Sequence, residues 1–498
     1  MNANLYALFR GHFGERMEAR CILLADHSTI AYGELDATSA QFAHALLAAG
    51  VCPGDRVAVQ VEKCWEALAL YLACLRAGLV YLPLNTGYQK SELAYFFGDA
   101  EPAIIVGRPD AAALLVALRP QATVFTLGPG EGTLFDAARD QADVFDPAQS
   151  APDDLAAILY TSGTTGRAKG AMLSHRNLAS NALTLVERWG FTHDDVLLHA
   201  LPLYHVHGLF VACHCALLSG ARMLWFAKFE ARAVVAALPK ATVMMGVPTF
   251  YSRLLAEPDF GADACRTIRL FVSGSAPLLP ATFDEFAQRT GHTILERYGM
   301  TETGMNISNP LDGERRCGSV GLPLPGVSAR VVDANGELCA PGEVGSIQVK
   351  GPNVFSGYWR MPEKTAEEFS PDGFFKTGDM GETMADGYIR IVGRAKDLII
   401  TGGLNVYPKE VEDRIDALPG VIESAVIGVP DPDFGEGVTA VVVATKDSKL
   451  TEASVIAQLK SEIAGFKVPK RVHFVADLPR NAMGKVEKNA LRQRYAAG

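Results

Sequence analysis

Residues 160–170 read Tyr-Thr-Ser-Gly-Thr-Thr-Gly-Arg-Ala-Lys-Gly. Upstream, Leu155-Ala-Ala-Ile-Leu-Tyr160 has the short apolar run of a buried strand, and downstream Ser174-His-Arg-Asn-Leu178 opens a helical spacing. A glycine-rich loop between two such elements can wrap a polyphosphate. Gly163 and Gly166 let the backbone approach a ligand. Thr161, Ser162, Thr164 and Thr165 offer hydroxyls, and Arg167 and Lys169 offer charge. The run is not a Walker A loop, which needs Gly, four residues and then Gly-Lys-Ser/Thr. By composition alone it also fits a plain surface turn, so the rest of the chain has to decide.

At 498 residues the chain exceeds what one core organises, and about three units are expected. A hydrophobic share of 49% with 20% charged residues is that of a globular protein. The net charge of −10 gives no basic face for nucleic acid. No membrane partner is expected, because apolar runs such as residues 438–444 have only strand length. Arg10, Glu15, Arg16, Glu18 and Arg20 mix both signs near the N-terminus, unlike a signal or transit peptide. The nine cysteines form no framework. Cys52, Cys64 and Cys74 sit in Ala/Leu-rich helical context, and Cys213-His-Cys215 sits in an apolar run with no second ligand cluster nearby. Unpaired thiols favour a reducing compartment, and a cytoplasmic location is expected.

The first part of the chain alternates strand and helix. Residues 55–61, 80–84 and 103–106 read as strands, with a helix from Trp65, which is an α/β pattern with parallel pairing. From about Val327, the segments 327–333, 345–351 and 387–393 are short strands between glycine-rich turns, a small antiparallel barrel or sheet. After Arg394 a third pattern begins: helices over 408–417 and 451–464, and strands over 424–429, 438–445 and 472–475. The expected architecture is a large N-terminal α/β domain over residues 1–395, with a β-barrel-like subdomain at about 320–395, and a small mobile α+β domain over 396–498.

Further motifs follow in order. Ser273-Gly274-Ser275-Ala276-Pro ends a strand, where α/β folds place ligands. Glu296-Arg297-Tyr298-Gly299-Met-Thr301-Glu302-Thr ends another. Asp372-Gly-Phe-Phe-Lys-Thr-Gly-Asp379, the stretch Gly393-Arg394-Ala-Lys396-Asp with Gly402-Gly403 just beyond, and Pro479-Arg-Asn-Ala-Met-Gly-Lys485 complete the set. Together these resemble the adenylate-forming superfamily of acyl-CoA synthetases, peptide-synthetase adenylation domains and luciferases, from about residue 20 to the C-terminus.

The resemblance implies ATP, Mg²⁺ and coenzyme A as co-substrates and cofactor. A carboxylate attacks the α-phosphate of ATP, and because both partners are anions a cation must screen their approach. By resemblance Lys485 supplies that cation, Glu302 holds Mg²⁺ on the phosphates and Thr301 touches the α-phosphate. Asp379 accepts the ribose hydroxyls, Arg394 adds a ribose or phosphate contact, and the 160–170 loop grips the pyrophosphate side. Residues 273–276 and Glu296, Arg297, Tyr298 and Gly299 enclose adenine, with stacking on Tyr298. Lys396 matches the hinge about which the small domain swings. Gly402 and Gly403 line the path of the CoA arm. Lys485 also matches lysines acetylated in this family, which implies a lysine acetyltransferase as a partner.

The acid is the open choice. Leu201-Pro-Leu-Tyr-His205-Val-His207-Gly208 resembles the family's acyl-pocket element, with His205 as the matching histidine. In Met305-Asn-Ile-Ser308-Asn-Pro-Leu-Asp-Gly-Glu-Arg315-Arg316-Cys-Gly, an arginine stands where a monocarboxylate pocket would be apolar. This is similar to malonyl-CoA synthetases and implies a malonate ligase, with methylmalonate also open. Arg315 is favoured over Arg316 as the clamp for the second carboxylate, beside Ser308. The alternative is a short-chain or aromatic monocarboxylate ligase.

Overall fold

The computed structural model describes residues 2–161, 168–402, 404–431, 433–481 and 484–496. Two large sheets form the N-terminal part. One takes the order Gly357–Tyr358, Lys169–Ser174, Leu155–Thr161, Val80–Pro83, Arg56–Gln60, Ile104–Gly107, Thr123–Thr126, and its last five strands are parallel. The other runs Leu322–Pro323, Gly304–Ser308, Leu295–Met300, Leu270–Ser273, Val243–Gly246, Val196–His199, Arg222–Trp225, Arg20–Leu23, Thr29–Ala31. Its middle six strands are parallel, and antiparallel strands finish both edges. The expected parallel α/β pattern is therefore present twice, with strands buried on both faces.

One core continues between these sheets. Helix Leu5–Phe13 contributes Tyr6, Phe9 and Phe13, and helix Trp65–Arg76 is buried over nearly its whole length. A helix enclosed on all sides must satisfy its polar members. Arg76 does so in part, donating through Nη1 and Nη2 to the carbonyls of Asp36 and Phe145 and to Ser39 Oγ, while its Nε is left without a partner.

Downstream of the 160–170 loop the order of elements differs from the expectation. The chain does not pass straight into a helix. Strand Lys169–Ser174 returns antiparallel to Leu155–Thr161, with Thr161 opposite Lys169, and only then does helix His175–Arg188 begin. The Ser174 side chain caps that helix by accepting from Asn177 N, and the Asn177 side chain answers by accepting from Ser174 N. Lys-Gly-Ala-Met-Leu-Ser is weak in strand formers. Its extended form is imposed by the neighbouring strands.

The β-rich segment is an antiparallel four-stranded sheet of Ser328–Val332, Gly345–Lys350, Phe375–Thr383 and Ile389–Arg394. A five-stranded sheet follows from Ile399, with the long strand Gly435–Ala444 at its centre, Val421–Asp431 antiparallel and Arg471–Val475 parallel to it, and helices Pro408–Asp416, Glu452–Lys460 and Lys488–Tyr495 against the sheet. Between the two sheets the chain makes a short turn, Ala395–Asp397. Arg394 on one side pairs with Asp379 at 2.6 Å, and Asp397 on the other accepts from Arg492 of the last helix at 2.6 Å.

All nine cysteines are free. Cys213 and Cys215 are buried. Cys52 differs from its expected helical setting and lies in an exposed turn. Among the described residues no helix is long and apolar enough to cross a membrane.

Candidate active site

The strand ends Thr161, Ser273 and Met300 and the antiparallel strand Phe375–Thr383 converge on one crevice. Asp379 is buried on its wall. Its carboxylate accepts from Tyr298 OH and from Arg394 Nε, while its backbone N donates to Thr377 Oγ1 at 3.1 Å. Tyr298 therefore orients Asp379 through its hydroxyl, an added role beside the adenine stacking expected of it. Each carboxylate oxygen keeps a lone pair, so two further hydroxyls still fit.

Glu302 lies in the turn after strand Leu295–Met300. Its Oε1 accepts from Tyr358 OH at 3.1 Å and from Thr161 Oγ1 at 3.3 Å, and burial pushes its carboxyl above the usual range. The contact ties the base of the 160–170 loop to the Thr301-Glu302 turn. Lys169, on the returning strand, stands 3.9 Å over the Tyr358 ring and 3.2 Å from Glu368 Oε1. Ser162, Gly163, Thr164, Thr165 and Gly166, expected to hold phosphate, lie outside the described residues.

The Ser273–Ala276 turn is strained: Ser275 has φ +74°. Gly274 has no room for a side chain, because a Cβ there would collide with the Arg297 guanidinium. Gly299 is likewise closed by the Gly304 carbonyl across its hairpin. Glu296 is buried and accepts from Leu278 N at 3.2 Å, and burial raises its carboxyl to about 7.

Arg297 departs most from expectation. Its side chain is buried at 4% exposure, packed on Gly274, and its Nε and Nη2 have no partner. No carboxylate of the described residues pairs with it, and burial lowers it to about 9. His205 and His207 are its neighbours. Burial, then Arg297, holds His205 down at about 4 and His207 well below its usual value, so both rings are neutral. His207 Nδ1 lies 3.5 Å from Ser275 Oγ, while His207 Nε2 and His205 Nδ1 are enclosed without partners. Orphaned buried donors around an unpaired cation are the mark of a missing anion.

Arg315 sits differently. Its guanidinium donates to the carbonyls of Pro310, Thr293 and Leu311 at 3.2, 2.7 and 2.8 Å, which commits all three of its nitrogens. Arg316 pairs with Glu314 and Asp386 at the surface. Ser308 is also engaged, accepting from Trp189 Nε1 at 3.1 Å and donating to the Asn309 carbonyl at 2.8 Å. Of these three arginines, Arg297 is the one left buried with unpartnered nitrogens; the expectation from sequence was a place at the adenine. An arginine inside an otherwise apolar strand end was the available signal; a polar loop such as 312–316 carries arginines with no need of a ligand.

The small domain reaches the same crevice. The Lys485 backbone is fixed by Asn481, whose Oδ1 accepts from Lys485 N at 3.0 Å and whose N donates to the Lys485 carbonyl at 2.9 Å. Gly484, with φ +72°, abuts Thr249, whose Oγ1 is 3.1 Å from where a Cβ would stand. The Lys485 ammonium keeps access to solvent. Crowding by protein, and then Arg394, holds it below its usual value, at about 8, while Asp379 opposes that shift. Lys396 is exposed in the connecting turn. Gly402, with φ +56°, turns a hairpin whose Ile400 and Leu404 are exposed; Gly403 lies outside the described residues. A separate cavity of about 280 Å³ opens beside the 201–205 segment, lined in part by Lys63, Thr86, Tyr204, Lys228 and Phe250.

Residues 10–359 match the AMP-binding enzyme family and residues 410–485 match the AMP-binding enzyme C-terminal domain. The chain superposes on ATP-bound MatB from Rhodopseudomonas palustris with a TM-score of 0.98 at 56% identity, covering 100% of this chain and 99% of that one. Against apo MatB from the same organism the TM-score is 0.87. A feruloyl-CoA synthase from an Amycolatopsis species is 37% identical over 94% of both chains, and a malonate–CoA ligase from Arabidopsis thaliana is 33% identical over 99% of this chain and 89% of its own. The crevice, the docked lysine and these likenesses agree: the chain belongs to the AMP-binding enzymes, as an AMP-forming acid–thiol ligase.

Proposed function

We propose that this chain joins malonate to coenzyme A through an acyl-adenylate, releasing pyrophosphate and then AMP, and that Arg297, in place of Arg315, clamps the distal carboxylate. The buried guanidinium with two unpartnered nitrogens beside two neutral histidines carries this reading. A monocarboxylate such as ferulate would leave that cation unpaired in a dry pocket, which is costly. Malonate supplies one carboxylate to Arg297 and turns the other toward Lys485. Lys485 then screens the meeting of two anions, and Asp379 and Tyr298 hold the ribose end. Glu302 suits Mg²⁺: it is a hard-oxygen ligand with lone pairs to spare, and the ion takes one or two carboxylates together with phosphates. When bound, the ion neutralises phosphate charge.

For the thiol half-reaction, Lys396 is the pivot about which the small domain turns, bringing Gly402 and the strands beside it to the crevice. Acetylation of Lys485 by a lysine acetyltransferase would remove the charge adenylation needs. Native protein in which Lys485 is never acetylated, by mass spectrometry across carbon sources, speaks against that.

The test of the substrate is a panel of malonate, methylmalonate, acetate, benzoate and ferulate with ATP and CoA, read as pyrophosphate release and thioester mass. Dicarboxylates are expected to dominate. Preferred turnover of ferulate or acetate overturns the reading.

A further inference from the structure

Lys63 follows strand Arg56–Gln60 of the seven-stranded sheet, yet its ammonium is spent on the other sheet. It lies 2.7 Å from His199 Nδ1 and 2.8 Å from the His199 carbonyl, at the end of strand Val196–His199. It also stands 4.5 Å over the ring of Trp225, which stacks on His199. No carboxylate pairs with it among the described residues. Lys63 is half-buried at the wall of the cavity of about 280 Å³, and a lysine held there by a histidine instead of an acid calls for a role.

The geometry fixes a tautomer. An ammonium only donates, so His199 Nδ1 accepts, and the ring proton must sit on Nε2. His199 Nε2 then donates to the Gly208 carbonyl at 2.9 Å, with Cys213 Sγ as a weaker neighbour at 3.3 Å. Both acceptors belong to the π-helical turn His207–Cys213, or one wide turn of five-residue hydrogen bonds. Such turns are poor in intrinsic stability and need outside support. Gly208 is locked from the other side, because a Cβ there would strike the Pro202 carbonyl. His207, the first residue of the turn, is the imidazole beside Ser275 and Arg297.

We propose that Lys63 is a positioning residue for the acid substrate: through His199 it holds the His207–Cys213 turn and so sets His207 against the Arg297 pocket. Lys63 touches none of the reacting atoms. The inference rests on the assignment of Arg297 and its histidines to the acid site, and it is independent of which acid is turned over.

The test compares wild type with Lys63→Met, Lys63→Gln and Lys63→Arg, using the acid wild type prefers. In Lys63→Met, KM for the acid is expected to rise about tenfold, the loss of one charge-assisted hydrogen bond, with KM for ATP unchanged. Lys63→Gln and Lys63→Arg keep a donor to Nδ1 and restore part of the affinity. Imidazole ¹⁵N spectra are expected to show the Nδ1 of one histidine losing its hydrogen-bond shift in Lys63→Met alone, while the Gly208 carbonyl keeps the proton on Nε2. An equal change in both KM values, or an unchanged acid KM in Lys63→Met with the Nδ1 hydrogen bond lost, overturns the proposal. A failure of the malonate assignment is seen separately, in the wild-type substrate panel.

Discussion

In the proposed function the choice of acid rests on one side chain. Removing the Arg297 guanidinium should cost about 3 kcal/mol, or roughly 150-fold in kcat/KM for malonate, because a charge-assisted pair is lost from a buried pocket. Arg297→Ala is expected to lose that preference while acetate turnover changes little, and Arg315→Ala should leave both unchanged; steady-state kinetics on the two acids check this. A second test concerns Lys485, held at about 8. Its charged form is the active one, present below that pH and lost above it, so adenylation should fall as pH rises through 8. In Lys485→Arg the falling limb should move to higher pH, read by ATP–pyrophosphate exchange. Asp379, Glu302 and Lys485 could be named from the sequence because short motifs with fixed spacing carry them, and the structure brings them to one crevice. Arg297 was quoted in the same motif and assigned to the adenine; the structure packs it on Gly274 beside His205 and His207, and the acid-site role proposed for it rests on its missing partner, which only three dimensions reveal.

Among elements, helix His175–Arg188 and the hairpin before it show where sequence reading stops. Ser174 was readable as a helix opener because its hydroxyl and the amide three residues on make a reciprocal cap. Ser174→Ala should cost about 1 kcal/mol, measured by denaturant unfolding, with a wild-type circular-dichroism spectrum. Strand Lys169–Ser174 was not readable, as its extended form comes from the strands on either side. The π-helical turn His207–Cys213 was also hidden, since an apolar run has no pattern that separates five-residue from four-residue hydrogen bonds. Strands Ser328–Val332 and Gly345–Lys350, which mix buried and more open positions, were placed almost to the residue because their spacing alone specifies them.

At the scale of the molecule, the docked small domain and the buried histidines make separate predictions. Gly484 needs both its φ of +72° and the space beside Thr249, so Gly484→Ala should strain the Lys485 loop by about 1–2 kcal/mol. Adenylation is expected to slow while thioester formation from a supplied acyl-adenylate keeps its rate. Acid should unfold the chain early. His175 and His205 are held at about 4 and His214 at about 3 by burial, so the unfolded chain binds protons that the folded chain refuses. Their contribution is intact above pH 6.5 and shrinks below it, by about 1.4 kcal/mol per pH unit for each ring until its folded value is reached. Melting temperature should drop steeply between pH 6.5 and 4. The two ion pairs that flank the 395–397 turn have their own consequence. Arg394 is anchored to Asp379 on the large-domain side and Asp397 to Arg492 on the small-domain side, so the pivot proposed at Lys396 would turn on the backbone torsions of Ala395 and Lys396. Any reorientation of some hundred residues is then steered by four dihedral angles, like a door on a single pin, and its conformational entropy is that of two residues and not of a linker.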